Sequence, residues 1–257
     1  MAFVQLIGRT FLNFLAAAGR LAIFALRALS HCVRPPFYFR NLGHQLVEIG
    51  YYSLPVVGLT AIFTGMVLAL QSYTGFARFS GESTIPQVVV VSITRELGPV
   101  LAGLMVAGRV SSANAAEVGT MRVTEQIDAL ITLATDPFKY LIAPRIVAGI
   151  IALPMLVLVA DTIGIFGGYL VGVYKLGFTA GTYLNNTLNF MQVMDVVSGL
   201  VKAAMFGFII TLMGCYHGYH SSGGAQGVGT ATTNAVVSAS ILILASNYLI
   251  TELFFAR

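Results

Sequence analysis

Tryptophan is absent from this 257-residue chain, charged residues make up only 9% of it, and cysteine occurs twice. Soluble domains carry roughly 25% charged residues, so the shortage of charge excludes an ordinary water-soluble globule. Cys32 and Cys215 stand far apart with no CxxC or Cys/His spacing, which indicates neither a disulfide framework nor a metal site. No Walker A pattern, Ser-His-Asp order or HExxH occurs either. By motif the chain therefore has no means of hydrolysing ATP, and an enzyme with a cofactor or metal of its own is not expected. The glycine-rich Ser221–Gly227 stretch lacks the Lys-Ser/Thr ending of a phosphate loop and reads as a flexible turn. Basic residues outnumber acidic ones by 14 to 10, but they are scattered rather than clustered, so no nucleic-acid partner is expected. His217 and His220 have the i,i+3 spacing of a ligand pair, yet all four histidines lie near the ends of apolar runs, where interfacial histidines are the simpler reading.

What is present is apolar: 57% of the residues are hydrophobic and the mean hydropathy is +0.84. The solvent for most of this chain is lipid. Crossing about 30 Å of hydrocarbon takes about 20 residues of helix, and five stretches qualify: 46–73, 85–108, 141–174, 193–216 and 231–255. The third is longer than a bilayer needs, so it should tilt or project. It carries Asp161, followed by Gly164, Gly168 and Gly172 at the spacing that lets helices approach closely. Ahead of these spans, Arg9, Asn13, Ala16, Arg20 and Arg27 fall along one helical face with leucines and phenylalanines elsewhere around it. The spacing predicts an amphipathic helix in the plane of the interface, over residues 1–36, ended by Pro35-Pro36. The whole is thus expected to be one all-α integral membrane domain of 257 residues.

Five arginines precede the first span, and Arg109, Arg122, Lys139 and Arg145 accompany the loop after the second; Arg78, Lys175 and Arg257 fall on the other side. The excess of Lys and Arg on cytoplasmic loops then places the N-terminus in the cytoplasm and the C-terminus outside.

The second span holds two charges, Arg95 and Glu96, near its middle. Each costs about 2.5–3.5 kcal/mol at the bilayer centre on insertion scales, so each should face protein or a cavity. Gly98 and Pro99 follow directly, and proline removes an N–H and clashes with the carbonyl four residues back. A broken helix is expected here, tolerated only where neighbours or a cavity satisfy the freed groups. Adjacent helical residues lie about 100° apart, so one of Arg95 and Glu96 is expected to face a chamber and the other to pair with a neighbouring helix. Lys202 and Asp161 could pair with each other or with these two. A purely structural ion pair is the plainer alternative.

Residues 117–135 form the most polar stretch of the core. Ile127, Leu130, Ile131 and Ala134 repeat at helical spacing with Glu125 and Asp128 off that stripe, and Asp136-Pro137 stops the helix. A short amphipathic helix on a loop can dock into a groove on another protein; a helix lying on the membrane is the alternative.

Several segments together resemble one family. They are Gly65-Met66-Val67-Leu68 with Leu70-Gln71, Arg95-Glu96-Leu97-Gly98-Pro99-Val100, Ala107-Gly108-Arg109, Ala116-Glu117-Val118-Gly119-Thr120-Met121-Arg122 and Thr124-Glu125-Gln126-Ile127-Asp128. Asp136-Pro137, Pro144-Arg145 and Ala231-Thr232-Thr233 extend the match. Over essentially its whole length the chain is similar to the MlaE/YrbE permeases of MCE-type phospholipid ABC transporters. Ser111-Ser112 departs from the pattern, where the family often has glycine.

The resemblance implies a homodimer enclosing a pocket for glycerophospholipid in the bacterial inner membrane. It implies separate cytoplasmic ATPase subunits that carry the ATP and Mg, in some systems a STAS-domain subunit, and a periplasmic ring of MCE-domain proteins. Lipid would pass between the inner membrane and that ring, maintaining outer-membrane lipid asymmetry. Position by position, Leu68, Gln71, Phe76, Phe79, Arg95, Glu96 and Leu97 match the family's lipid-pocket surroundings. Glu117, Arg122, Glu125, Gln126 and Asp128 fall in the segment that would couple to the ATPase. Two other classes compete: an ATP-independent secondary transporter or channel with an ion relay through the intramembrane charges, and a structural anchor for an extracytoplasmic complex.

Overall fold

A computed structural model describes residues 2–35, 38–76 and 84–255, and among these residues there is helix and no strand. The helices are α1 (Ala2–Val33), α2 (Phe39–Ile49), α3 (Leu54–Phe76), α4 (Ile85–Ser92), α5 (Gly98–Val106), α6 (Ser112–Val123), α7 (Gln126–Thr132), α8 (Ala143–Tyr174), α9 (Ala180–Phe190), α10 (Val193–Tyr219) and α11 (Gly224–Phe255). Single π-helical turns at Ile93–Leu97 and Ala107–Ser111 join α4, α5 and α6 into one rod of 39 residues, and a third, Phe138–Ile142, leads into α8. Pro36, Arg78, Phe79 and Arg257 lie outside the described residues.

Among the described residues, six helical stretches are long and apolar enough to cross a membrane, one more than the five read from the sequence. The additional one is Phe11–Cys32 within α1. The expected polar stripe of Arg9, Asn13, Ala16, Arg20 and Arg27 is exposed along α1, with the Arg27 guanidinium 4.2 Å over the Phe138 ring. Length and apolarity are shared by helices that cross and helices that lie flat. α1 meets the rest of the chain mainly through Phe24 and Ala28, with Phe24 set against the rings of Phe138, Tyr216 and Tyr219; Phe11, Leu12, Ile23 and Leu26 are uncovered. The other spans also run past their apolar limits, the second to Val123 and the fourth to Tyr219. Hydropathy falls where polar residues begin, whereas alanine, glutamate and methionine keep the backbone helical.

With no water to expel, helices in lipid associate through close packing, and small residues let backbones meet. A Cβ on Gly65 of α3 would lie 1.9 Å from the carbonyl oxygen of Gly164 in α8, and one on Gly207 of α10 would lie 2.1 Å from that of Gly149 in α8. α8 thus forms the spine, with α3 on one side and α10 on the other. Farther along the glycine ladder, Gly168 and Gly172 receive the Tyr183 ring of α9. That ring is buried, which pushes the phenol up to about 12 and keeps it neutral. α11 packs on α6 and α10, leaving Ile241, Leu244, Tyr248 and Leu253 open.

Candidate functional site

Proline at position 99 has no N–H to give the Arg95 carbonyl one helical turn back. The chain does not break there. It widens into a π-turn over Ile93–Leu97, in which the Gly98 N–H reaches back to the Ile93 carbonyl. The Arg95 carbonyl that proline leaves unpaired accepts a hydrogen bond from Lys202 Nζ of α10 at 2.8 Å. The same ammonium donates to Glu96 Oε1 at 2.7 Å, and the Lys202 side chain has no exposed surface. One buried cation therefore both caps the interrupted backbone and neutralises a carboxylate. A buried ammonium costs several kcal/mol of desolvation unless its partners are this well placed.

Glu96 is held further by α11: Asn247 Nδ2 donates to Oε2 at 2.9 Å and Thr251 Oγ1 to Oε1 at 3.0 Å. Arg95 turns the other way along the same helices. Its Nε donates to Asp195 Oδ1 at 2.7 Å, and its guanidinium lies 4.4 Å over the Phe255 ring. Asp195 is buried in the first turn of α10, where its other oxygen accepts the Gln192 N–H at 3.1 Å and its charge suits the helix N-terminus. Both residues of the pair thus bind neighbouring helices, in place of the one expected to stand free. The wider π-turn reduces the angle between consecutive side chains, so Arg95 and Glu96 reach the same two helices. Neither is sealed: 31% of the Arg95 side chain and 38% of the Glu96 side chain remain open at the surface.

Leu97 points elsewhere, into a crevice between α3, α5 and α8 shared with Val57, Thr64, Gly98, Ala160 and Gly164. At about 20 Å³ it has room for a water and none for an acyl chain. Leu68 and Phe76, near the end of α3, pack beside a small cluster of Ala69, Ile85, Val89 and Ile93, and Gln71 is exposed. Within one chain, then, the apolar candidates and the charged pair occupy different faces. Phe79 falls outside the described residues.

Among the described residues Asp161 pairs with no cation. Its Oδ1 is buried without a hydrogen-bond partner, against Gly98, where a Cβ would come within 1.9 Å of it. Asp195, Asn247 and Thr251 are site residues that sequence reasoning missed. Asp195 stood only two residues inside an apparent span, and the other two are neutral residues in a run without charge. His217 Nε2 lies 3.0 Å from Ser238 Oγ, and His220 Nδ1 is 2.8 Å from the Tyr216 carbonyl.

The expected coupling segment divides into two parts. Glu117 and Arg122 ride on α6, the far end of the 39-residue rod, while Gln126 and Asp128 sit on the short helix α7. Glu125 makes the corner in the left-handed region, at φ 61°. Ile127 is fully buried and anchors α7, whereas Glu125, Gln126, Asp128, Ile131 and Leu133 are exposed. Arg122 Nη1 meets Asp128 Oδ1 at 2.7 Å, bracing the corner.

The family description Permease MlaE matches residues 42–253. The chain belongs to the MlaE permease family. A "Probable ABC transporter permease protein" of Rickettsia bellii is 61% identical over 249 residues, covering 97% of this chain and 96% of that protein. The "Intermembrane phospholipid transport system permease protein MlaE" of Haemophilus influenzae is 36% identical over 256 residues, covering 98% and 97%. The chloroplastic "Protein TRIGALACTOSYLDIACYLGLYCEROL 1" of Arabidopsis thaliana is 36% identical over 233 residues, covering 91% of this chain and 67% of its own length. As an MlaE-family permease with six apolar helices, the chain is a multi-pass membrane protein.

Proposed function

We propose that this permease is the membrane subunit of an ATP-driven transporter that moves glycerophospholipid between the bacterial inner membrane and a periplasmic MCE-domain protein, so maintaining outer-membrane lipid asymmetry. The observation that carries this reading is the half-open Arg95–Glu96 pair in the middle of a membrane span. Charge left open at that depth needs polar company, and a lipid phosphate supplies it, since arginine's planar fork bonds two oxygens at once. The relative from Haemophilus influenzae, named for phospholipid transport, supports the same substrate class.

A second copy of the chain would close the chamber, bringing the Arg95–Glu96 face opposite its counterpart. Leu68, Gln71, Phe76, Phe79 and Leu97 would then contribute its apolar lining. ATP and Mg belong to separate ATPase subunits, with a STAS-domain subunit as a further partner. Arg122, Glu125, Gln126 and Asp128 present the coupling surface to them, while Glu117 of the same segment is paired with Arg145. The N-terminus then lies in the cytoplasm and the C-terminus in the periplasm, with α1 along the interface.

Arg95→Gln or Glu96→Gln, each of which removes the charge but keeps a hydrogen-bonding side chain beside Asp195 or Lys202, is expected to leave the complex assembled while cells lose detergent resistance through mixed outer-leaflet lipids. Full detergent resistance with either change would remove that residue from the lipid path. A relay of ions is the weaker reading, because Lys202 and Asp195 are each already committed to a partner. Lipid movement that persists after deletion of the ATPase would reinstate it.

A further inference from the structure

Some distance from the Arg95–Glu96 pair, Arg145 in the first turn of α8 presents an unresolved polar demand. It is only 2% exposed, and its Nη2 donates to Glu117 Oε1 of α6 at 2.7 Å. The guanidinium also lies beside the buried Cys215 thiol, a weak partner, and among the described residues its Nε and Nη1 are buried without a hydrogen bond of normal geometry. Leaving a buried donor unpaired costs about 1–3 kcal/mol, more when it is charged. Arg145 borders a hollow of about 270 Å³ between α2, α6 and α8, together with Asn41, His44, Gln45, Glu117 and Tyr140. That volume is near the ~300 Å³ at which ligand pockets begin.

The chemistry of the wall is two-signed. Arg145, with His44, Gln45 and Asn41, offers donors to an anion, and a guanidinium fork matches two phosphate oxygens. Glu117, with 60% of its side chain exposed, repels a plain anion but attracts an ammonium group. A zwitterion satisfies both.

Depth selects its source. Asp161 lies against Gly98, at the middle of the charge-poor second span. Arg145 is 16 residues along α8 from Asp161, about 24 Å at 1.5 Å per residue. A bilayer with its headgroups is about 40–45 Å thick, so a modest tilt puts Arg145 in the headgroup layer on the arginine-rich side. A second hollow of about 280 Å³ shares Pro144 with the first and is lined by Cys32, Leu42, Ala143 and Val147. It offers apolar space beside the polar one.

We propose that the hollow between α2, α6 and α8 binds the zwitterionic headgroup of a membrane lipid, phosphate on Arg145 and ammonium on Glu117, with the start of an acyl chain in the apolar hollow across Pro144. This site rests on the membrane setting of the chain and not on transport through the Arg95–Glu96 pair.

The test is native mass spectrometry of the purified full-length permease, offered phosphatidylethanolamine, phosphatidylglycerol or free phosphoethanolamine. Wild type is expected to retain one more phosphatidylethanolamine per chain than Arg145→Met or Gln45→Phe. The second change fills the hollow from the half-exposed face of α2 and spares the ion pair. Phosphatidylglycerol should be retained at least tenfold more weakly, and Glu96→Gln, which keeps a hydrogen-bond acceptor for Lys202, should leave retention unchanged even if it abolishes transport. Equal retention by Gln45→Phe, or equal binding of the two lipids, overturns the proposal. So does displacement by free phosphoethanolamine at concentrations as low as those of the lipid, which would make a soluble phosphate ester the occupant. Loss of the lipid when the ATPase is added, with crosslinks from position 45 to that subunit, would make the hollow a protein interface and also overturn it.

Discussion

Two buried cations in this chain meet glutamates at the same distance, 2.7 Å, and to opposite effect. Lys202 finds a carboxylate and the very carbonyl that Pro99 leaves free, while Asn247 and Thr251 complete the glutamate. Arg145 finds one oxygen and the weak Cys215 thiol, and its Nε and Nη1 make no hydrogen bond of normal geometry. The first cluster is a clamp that ties the second span to α10 and α11. The second is a socket with part of its contents missing from a single chain. Equal pair distances therefore say little about what a pair is for; the remaining donors and acceptors around it do.

The largest effect is expected at the clamp. Lys202→Met strands the Glu96 carboxylate and the Arg95 carbonyl, a loss of about 3–5 kcal/mol for a broken buried pair. Thermal melting in detergent, followed by size-exclusion chromatography, should show a collapse of the monodisperse peak, partly restored in Lys202→Met/Glu96→Gln. An unchanged melting temperature would refute the clamp. Next comes the seam beside it. Gly98→Ala drives a methyl group into Asp161 Oδ1 and should cost about 1–3 kcal/mol, as overpacking does. Adding Asp161→Ala should recover most of that loss, because residues in contact are energetically coupled; additive losses would show that the two do not touch.

At the socket, Arg145→Met in delipidated protein should lower the melting temperature by less than half as much as Lys202→Met. The change removes two unpaired donors along with the charge, and Glu117 is already largely in solvent. An equal drop would erase the distinction between the two clusters. The smallest effect on stability belongs to the exposed Arg122–Asp128 pair. Breaking it with Asp128→Lys should cost at most about 1 kcal/mol, and Glu125→Lys no more. Together these two changes should nonetheless cut co-purification of the ATPase, and undiminished co-purification would remove the coupling role.

Much of this was legible in the residues themselves. Apolar runs of bilayer length announced the spans, and Gly164, Gly168 and Gly172 marked the face of α8 that α3 and α9 occupy. Two charges mid-span marked the clamp. Its other half was hidden because Asp195, Lys202, Asn247 and Thr251 arrive from about 100 to 155 positions away along the chain, and nothing local relates them to Arg95 and Glu96. Pro99 signalled trouble in the helix, but a break and a π-turn satisfy the same local sequence. The neighbour able to cap the freed carbonyl decided between them. In α7 the expected stripe holds only in part: Ile127 is fully buried and Leu130 half-buried, but Ile131 is exposed and the helix stops at Thr132, before Asp136-Pro137, which leaves Ala134 outside it at φ 55°.

The glycine seams carry one more consequence. Where the peptide of Gly65 rests on that of Gly164, and Gly207 on Gly149, no side chain stands between the rods to roll or re-pack. Sliding either seam by one residue would press a side chain into a carbonyl oxygen. α3, α8 and α10 are accordingly a rigid slab, and any relative motion within the bundle falls to the helices that border it less intimately.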